Sequence, residues 1–352
     1  MSTSSGLSHT SSVGSSWVSG GSQFDGEPNL TKVTAADGTV TAYKLGSFAT
    51  YGVIPVDWQD EEDIIGLTIG QGITSIGDSA FDGCEDLEGF NLVIPSSVTS
   101  IGASAFEDCE DLNGTLTLNE GLLTIGADAF NDCVKLQGHL TIPNSVTSIG
   151  QAAFKDCEEI TGLTIGSGLT SFGVSAFYDC HSLTSVTISE GVTSISNSSF
   201  GACNALTSVT IPSSVTSIGQ SAFDGCYALA SATIPEGVTS IGTGAFYGCS
   251  ALTSATIPEG VTSIGESAFF YCATLTSATI PSSVTSFGDY VFLSCSALTT
   301  ITCHVTKTLF EAGGYTLYGS GVTSIVADAG KGWTAGAGQT IAGKSGITVT
   351  IA

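Results

Sequence analysis

The sequence predicts a repeat solenoid, mainly β, with about ten repeats of 23–25 residues joined by short helical or 3₁₀ turns. Three observations predict it. Phe-x-x-Cys recurs ten times, from Phe81 and Cys84 to Phe292 and Cys295, with successive cysteines 25, 24, 24 and then 23 residues apart six times over. Within each unit, apolar residues alternate with Ser and Thr, the period-two pattern of a half-buried strand. The chain has 45 Gly, 8 Pro and 42% hydrophobic residues, which is apolar material enough for a core.

One unit shows the order of elements. In Leu206-Thr-Ser-Val209-Thr-Ile211-Pro212, Val209 and Ile211 point inward and Ser208 and Thr210 outward. Pro212 ends the strand because it cannot donate to the next ladder. Val215 and Ile218 belong to a second short extended piece, and Gly219 marks a backbone turn. Residues 220–226 read as two short helical or 3₁₀ turns that bury Ala222, Phe223 and Cys226, with Asp224 outward. Leu229 opens the next strand. A unit with one apolar side cannot bury it alone, so neighbours must stack.

The pattern L-x-x-V/A-x-I-P-x-x-V-x-x-I-G-x-x-A-F-x-x-C resembles the BspA-like (treponemal-type) leucine-rich repeat over residues 64–303. Departures are Ser196 for the glycine, Phe172 and Phe287 for the isoleucine, Val291 for the alanine, and extra residues around Gly89, Gly114 and Gly138. The resemblance implies cell-surface adhesion or protein interaction, at the cell surface or outside the cell. It carries no shared catalytic residues.

The flanks complete the domain plan. Residues 1–28 read as a flexible Ser/Gly-rich tail, 29–63 as an N-terminal cap, 64–303 as the solenoid, and 304–352 as a degenerate repeat and C-terminal cap. Val33-Thr-Ala and Val40-Thr-Ala-Tyr43 form an expected hairpin around Asp37-Gly38. Val322-Thr-Ser-Ile325 echoes the second strand, and Ile347–Ile351 reads as a closing strand. The N-terminus shows no basic and apolar signal-peptide regions, which with eleven cysteines points inside the cell, against the resemblance.

Charge narrows the partners. The chain carries 32 acidic residues, 7 lysines and no arginine, for a net charge of −25. Nucleic-acid binding and anionic membrane surfaces are excluded on that ground, and no apolar stretch is long enough for membrane insertion. The acidic residues crowd the early repeats: Asp60–Asp63, Asp82, Glu85, Asp86, Glu107, Asp108, Glu110, Asp111, Asp156, Glu158 and Glu159. They read as a solvated outer edge, with weak calcium binding as the alternative. Later repeats place Tyr178, Tyr227, Tyr247, Phe270 and Tyr271 at corresponding positions, either packed between rungs or exposed as a partner site.

Other motifs carry less. Gly338-Gln-Thr-Ile-Ala-Gly343-Lys344-Ser345 matches the phosphate-loop pattern, but Gly346-Ile-Thr-Val-Thr-Ile-Ala352 reads as a strand, and the chemistry needs a helix there. The cysteines read as a column of buried thiols; Cys303, out of register, is either free or paired with Cys295. No C-x-x-C or clustered histidine suggests zinc, no catalytic triad motif appears, and no metal or cofactor is expected. Asn29, Asn113 and Asn197 begin glycosylation sequons.

Threonine is the most informative polar feature. One column runs outward on the main sheet through Thr68, Thr117, Thr141, Thr164, Thr187, Thr210, Thr233, Thr256, Thr279 and Thr302, broken only at Val93. A second runs through Thr74, Thr99, Thr147, Thr170, Thr193, Thr216, Thr239, Thr262 and Thr285. Mutual satisfaction of stacked hydroxyls is the structural explanation. The functional expectation is a non-enzymatic, monomeric binding or adhesion scaffold. It meets a protein or glycan through Ser185, Thr187, Ser208, Thr210, Ser231, Thr233, Ser254, Thr256, Ser277 and Thr279. An ice-binding surface of in-register threonines and a purely structural assembly role are the alternatives.

Overall fold

The computed structural model describes residues 16–19, 30–35, 40–44, 53–54, 64–70, 73–88 and 91–352. Most rungs contribute a long and a short parallel strand. The long strands run from Ile64–Thr68 through Leu92–Ile94, Leu116–Leu118, Gly138–Ile142 and Ile160–Ile165 to Ser324–Ala327. In the middle rungs they pair without offset, Ser185↔Ser208, Val186↔Val209 and Thr187↔Thr210. The short strands form two ladders, one from Val53–Ile54 to Ser148–Ile149 and one from Ser194–Ile195 to Ser286–Phe287. They are separated at Phe172, whose ring stands edge-on to Phe177 and Phe200.

A third face of the solenoid departs from the sequence reading. Residues 220–226 and their counterparts are not helical or 3₁₀ turns. Each rung carries two positive-φ residues there, such as Ser104 (53°) and Asp108 (56°), and this alternation prevents a helix. Alternate N–H groups donate instead to the next rung: Ser104 to Ala127, Phe106 to Ala129 and Asp108 to Asn131, at 2.8–3.0 Å. Bonds at the short strands run the other way, with Thr99 N donating to Thr74 O and Gly102 N to Ile76 O. Every rung is therefore tied to both neighbours through backbone groups that would otherwise be unpaired.

The core is a stack of like on like. The ten Phe-x-x-Cys phenylalanines are fully buried, with successive ring centroids 5.0–5.7 Å apart and planes within 16°. That spacing lies in the offset-stacked range, where a pair adds about 0.5–1.5 kcal/mol beyond burial. Nine of the cysteines donate Sγ–H to the carbonyl of the previous rung's phenylalanine at 3.0–3.3 Å. The thiol fills an apolar slot and also satisfies a buried carbonyl's second lone pair.

Gly219 and its equivalents also have a different role from the expected turn. A Cβ at Gly102, Gly126, Gly150, Gly173, Gly219, Gly242, Gly265 or Gly288 would lie 2.1–2.7 Å from the rung before it, almost always against its backbone. Glycine is required there by close approach, not by φ.

Both ends carry sheet. Leu30–Ala35 pairs antiparallel with Val40–Lys44 and with Ile64–Thr68. The expected turn at Asp37-Gly38 lies outside the described residues. Within the segment read as a tail, Ser16–Ser19 is a strand antiparallel to Val40–Lys44. Ser324–Ala327 continues the long-strand column, pairing with Thr300–Cys303, so this segment echoes the main strand and not the second. Lys344–Ile351 lies parallel to it, and Gly336–Ile341 turns back antiparallel. The helix Lys307–Ala312, unanticipated from the sequence, starts at Thr306, whose hydroxyl accepts from Leu309 N. It places Phe310 against Phe287 and Trp333, closing the aromatic stack.

Candidate functional site

The ten predicted hydroxyls lie on the outward face of the long strands. Val186, Val209, Ala232, Ala255 and Ala278 are buried between them, and alternation turns the hydroxyls out. Ser185, Thr187, Ser208, Thr210, Ser231, Thr233, Ser254, Thr256 and Ser277 are exposed, and Thr279 is half-buried. Ser185, Ser208 and Ser231 stand in register, as do Thr187, Thr210 and Thr233. Ser254 pairs with Ser277 and Thr256 with Thr279. The strand ladder is interrupted between Ser231–Thr233 and Ser254–Thr256, so the strip is two in-register blocks.

The two threonine columns differ in chemistry. In the second column Thr193, Thr216, Thr239, Thr262 and Thr285 each donate Oγ1–H to the carbonyl of the threonine one rung earlier, at 3.1–3.2 Å. They satisfy backbone carbonyls, not one another. A third column, missed in the sequence, does the same: Thr184 to Thr161 O and Thr207 to Thr184 O at 2.8 and 3.1 Å. Among the described residues none of the ten strip hydroxyls makes a hydrogen bond. One rung earlier than the strip, Thr164 Oγ1 meets His139 Nε2 at 2.9 Å.

The phosphate-loop match is a hairpin: Ile341 pairs with Lys344 around Ala342 (46°) and Gly343 (85°), both left-handed. Lys344 Nζ donates to Ser320 O at 2.6 Å. All eleven cysteines are free and buried, Cys303 included. Burial pushes the Cys303 thiol up to about 12. Among the described residues no group of three or more His, Cys, Asp or Glu side chains is placed to hold a metal ion. Asn113 and Asn197 lie on the rungs, half-buried and exposed respectively, while Asn29 falls outside the described residues.

The turn edge changes character along the solenoid. In the early rungs Asp108, Asp128, Asp132 and Asp179 have carboxyls raised above their usual range, first by burial and then by neighbouring carboxylates. Lys155 lies among them and pairs with Asp156. Asp60–Asp63 lie outside the described residues. Asp224, expected to face outward, is half-buried, and burial raises its carboxyl too. In the late rungs Tyr227 (56%), Tyr247 (40%), Tyr271 (53%), Tyr315 (60%) and Tyr318 (60%) are exposed. Tyr178 and Phe270 are half-buried; Phe270 packs face to face on Tyr247 at 4.7 Å and 1°.

No curated protein sequence matches the chain. Among solved structures it is similar to a leucine-rich repeat protein from Bacteroides ovatus, at 24% identity over 85% of this chain and 83% of that one, with a TM-score of 0.62. It also matches a leucine rich cell surface protein from Faecalibacterium prausnitzii, at 25% identity over 82% and 96% of the two chains and a TM-score of 0.37. The pneumococcal vaccine antigen PcpA matches at 24% identity over 74% and 67%, with a TM-score of 0.48. The first of these likenesses shows the fold alone. The family model described as the BspA type leucine rich repeat region (6 copies) matches residues 59–137, 99–230 and 216–330, and the chain belongs to that family.

Proposed function

We propose that this repeat scaffold is a non-enzymatic, monomeric binding module that takes a protein or glycan on the outward face of its long strands, between residues 183 and 281. The observation that carries the reading is the contrast between hydroxyl columns: those of the second and third columns are engaged with backbone carbonyls, and those of the strip are unengaged. Unengaged hydroxyls exchange water for ligand at small net gain each, about 0.5–1.5 kcal/mol, so repetition across rungs supplies the affinity. The strip is uncharged, so binding there depends little on salt. Adhesion at the cell surface is the finer form of this proposal and rests on family membership.

The test replaces Thr210, Thr233 and Thr256 together with lysine. The expected result is a normally folded protein that no longer binds its partner. A folded triple variant with full binding would remove the strip from consideration. The ice-binding reading retains the main-sheet column, whose threonines are in register and unengaged. The second column's donors are already used. Thermal hysteresis of the purified protein, lost in the same triple variant, would select that reading.

A further inference from the structure

The late turn edge holds tyrosines where the backbone disfavours them. Tyr271 has φ of 58°, and Tyr290 and Tyr315 have 59° and 52°. At the equivalent turn positions the rungs just before use Gly248 and Gly225, or Ser267 and Gly244. A bulky residue at positive φ is strained, and such strain persists only where something compensates it. Packing does not compensate at Tyr271, which is 53% exposed and has no aromatic partner among the described residues. Among the described residues none of these phenol groups makes a hydrogen bond.

From Tyr227 to Tyr290 the edge has one sign of charge, and a lysine reaches only its far end, where Lys344 bonds Ser320 O beside Tyr318. No lysine or arginine occurs between residues 156 and 306, while Glu266 and Asp289 are exposed on the tyrosine-bearing rungs. A partner here must bring the cations itself. Tyrosine supplies apolar area, a phenol and a ring face for a cation, the combination found at the centres of protein interfaces. The face-to-face stack of Tyr247 on Phe270 turns ring edges outward, which disfavours both a sugar and a cation on those two rings and leaves the ring faces for a cation to Tyr227 and Tyr271.

We propose that the turn edge from Tyr227 to Tyr318 is a second docking surface, separate from the hydroxyl strip, for a polypeptide segment bearing arginine or lysine among apolar residues. The tyrosines are its anchors, and the exposed carboxylates steer and hold the cations.

The test begins with Tyr271→Gly. Glycine relieves the strain, so the melting temperature stays equal or rises; a lower melting temperature would assign the tyrosine to packing and overturn the proposal. Binding is then measured with a short synthetic peptide of repeated Arg-Leu-Ser, with Glu-Leu-Ser and cellohexaose as comparison probes. Tyr271→Gly combined with Tyr227→Ser should weaken the cationic peptide at least ~10-fold without changing net charge. Glu85→Gln, Glu110→Gln and Glu158→Gln together, on the acidic half, should leave it within about twofold, as expected of distant charges screened by salt. Equal losses in the two variants would show diffuse attraction to an acidic protein and overturn the site. Displacement of the peptide by cellohexaose would transfer the surface to glycans.

Discussion

The early and late rungs share one backbone and one core yet present opposite turn edges. The position after each core phenylalanine is Asp82, Glu107, Asn131 and Lys155 in the first four rungs. Late in the solenoid the same column reads Tyr247, Phe270, Leu293 and Tyr318, in register through the hydrogen bonds of Gly248, Tyr271 and Ser294 to the next rung. Inside, Phe106 and Phe246 are equally buried. The core accepts either edge because the ladder is made by backbone groups, so the side chain one residue beyond the phenylalanine varies without disturbing it. A repeat of this kind separates what holds it together from what it displays.

The largest expected effect probes the shared core. Phe106→Ala and Phe246→Ala should each cost about 3–5 kcal/mol in chemical denaturation, through lost burial and a cavity. Costs that differ by more than about 1 kcal/mol would mean that the two halves unfold separately, as repeat arrays can. Next in size is the close approach between rungs. Gly150→Ala and Gly242→Ala should cost about 1–3 kcal/mol each, since the added Cβ meets the rung before it in both halves; a neutral outcome at either would show that the rungs there can part. Asp224 cannot serve as the solvent-facing control beside Phe223, because it is half-buried.

Smaller effects should separate the halves. Lys155→Gln removes a cation that Asp108, Asp128, Asp132 and Asp179 all face. It should lower stability by about 0.5–1 kcal/mol at low salt and less at high salt. A loss unchanged by salt would locate the effect in packing.

The smallest is the pH response. The aspartates with raised pKa disfavour the fold while charged, so stability should rise as pH falls from neutral through values above 3.8. Glu120, Glu190 and Glu259 act oppositely. Backbone N–H groups of Asn144, Ser213 and Ser282 hold their carboxyls below the usual 4.5, so their contribution is lost as pH falls beneath it. Melting temperature against pH should therefore pass through a maximum on the acid side of neutral, and the rise should steepen in Lys155→Gln. A monotonic fall from neutral would contradict this assignment.

Much of the fold was legible. The spacing of Phe-x-x-Cys marked the rungs, and alternation around Val209 and Ile211 placed Ser208 and Thr210 outward, where the structure has them. The turns were misread because two short apolar clusters separated by polar residues look alike whether φ is negative throughout or alternates in sign. Gly219 was misread because a glycine required by a neighbour 23 residues away looks the same as one required by its own φ. The candidate strip was legible as a surface, but its difference from the second threonine column was not.

By itself, then, the sequence determined the period, the inward and outward faces, the thiol and phenyl columns and the charge of each edge. These follow from burial at period two and from composition, which are local properties copied from rung to rung. Only the tertiary structure decided which hydroxyls are engaged, which glycines are indispensable and which tyrosines are strained. Those depend on how closely one rung lies on the next, a distance of about 5 Å set by backbone hydrogen bonds between residues far apart in the chain.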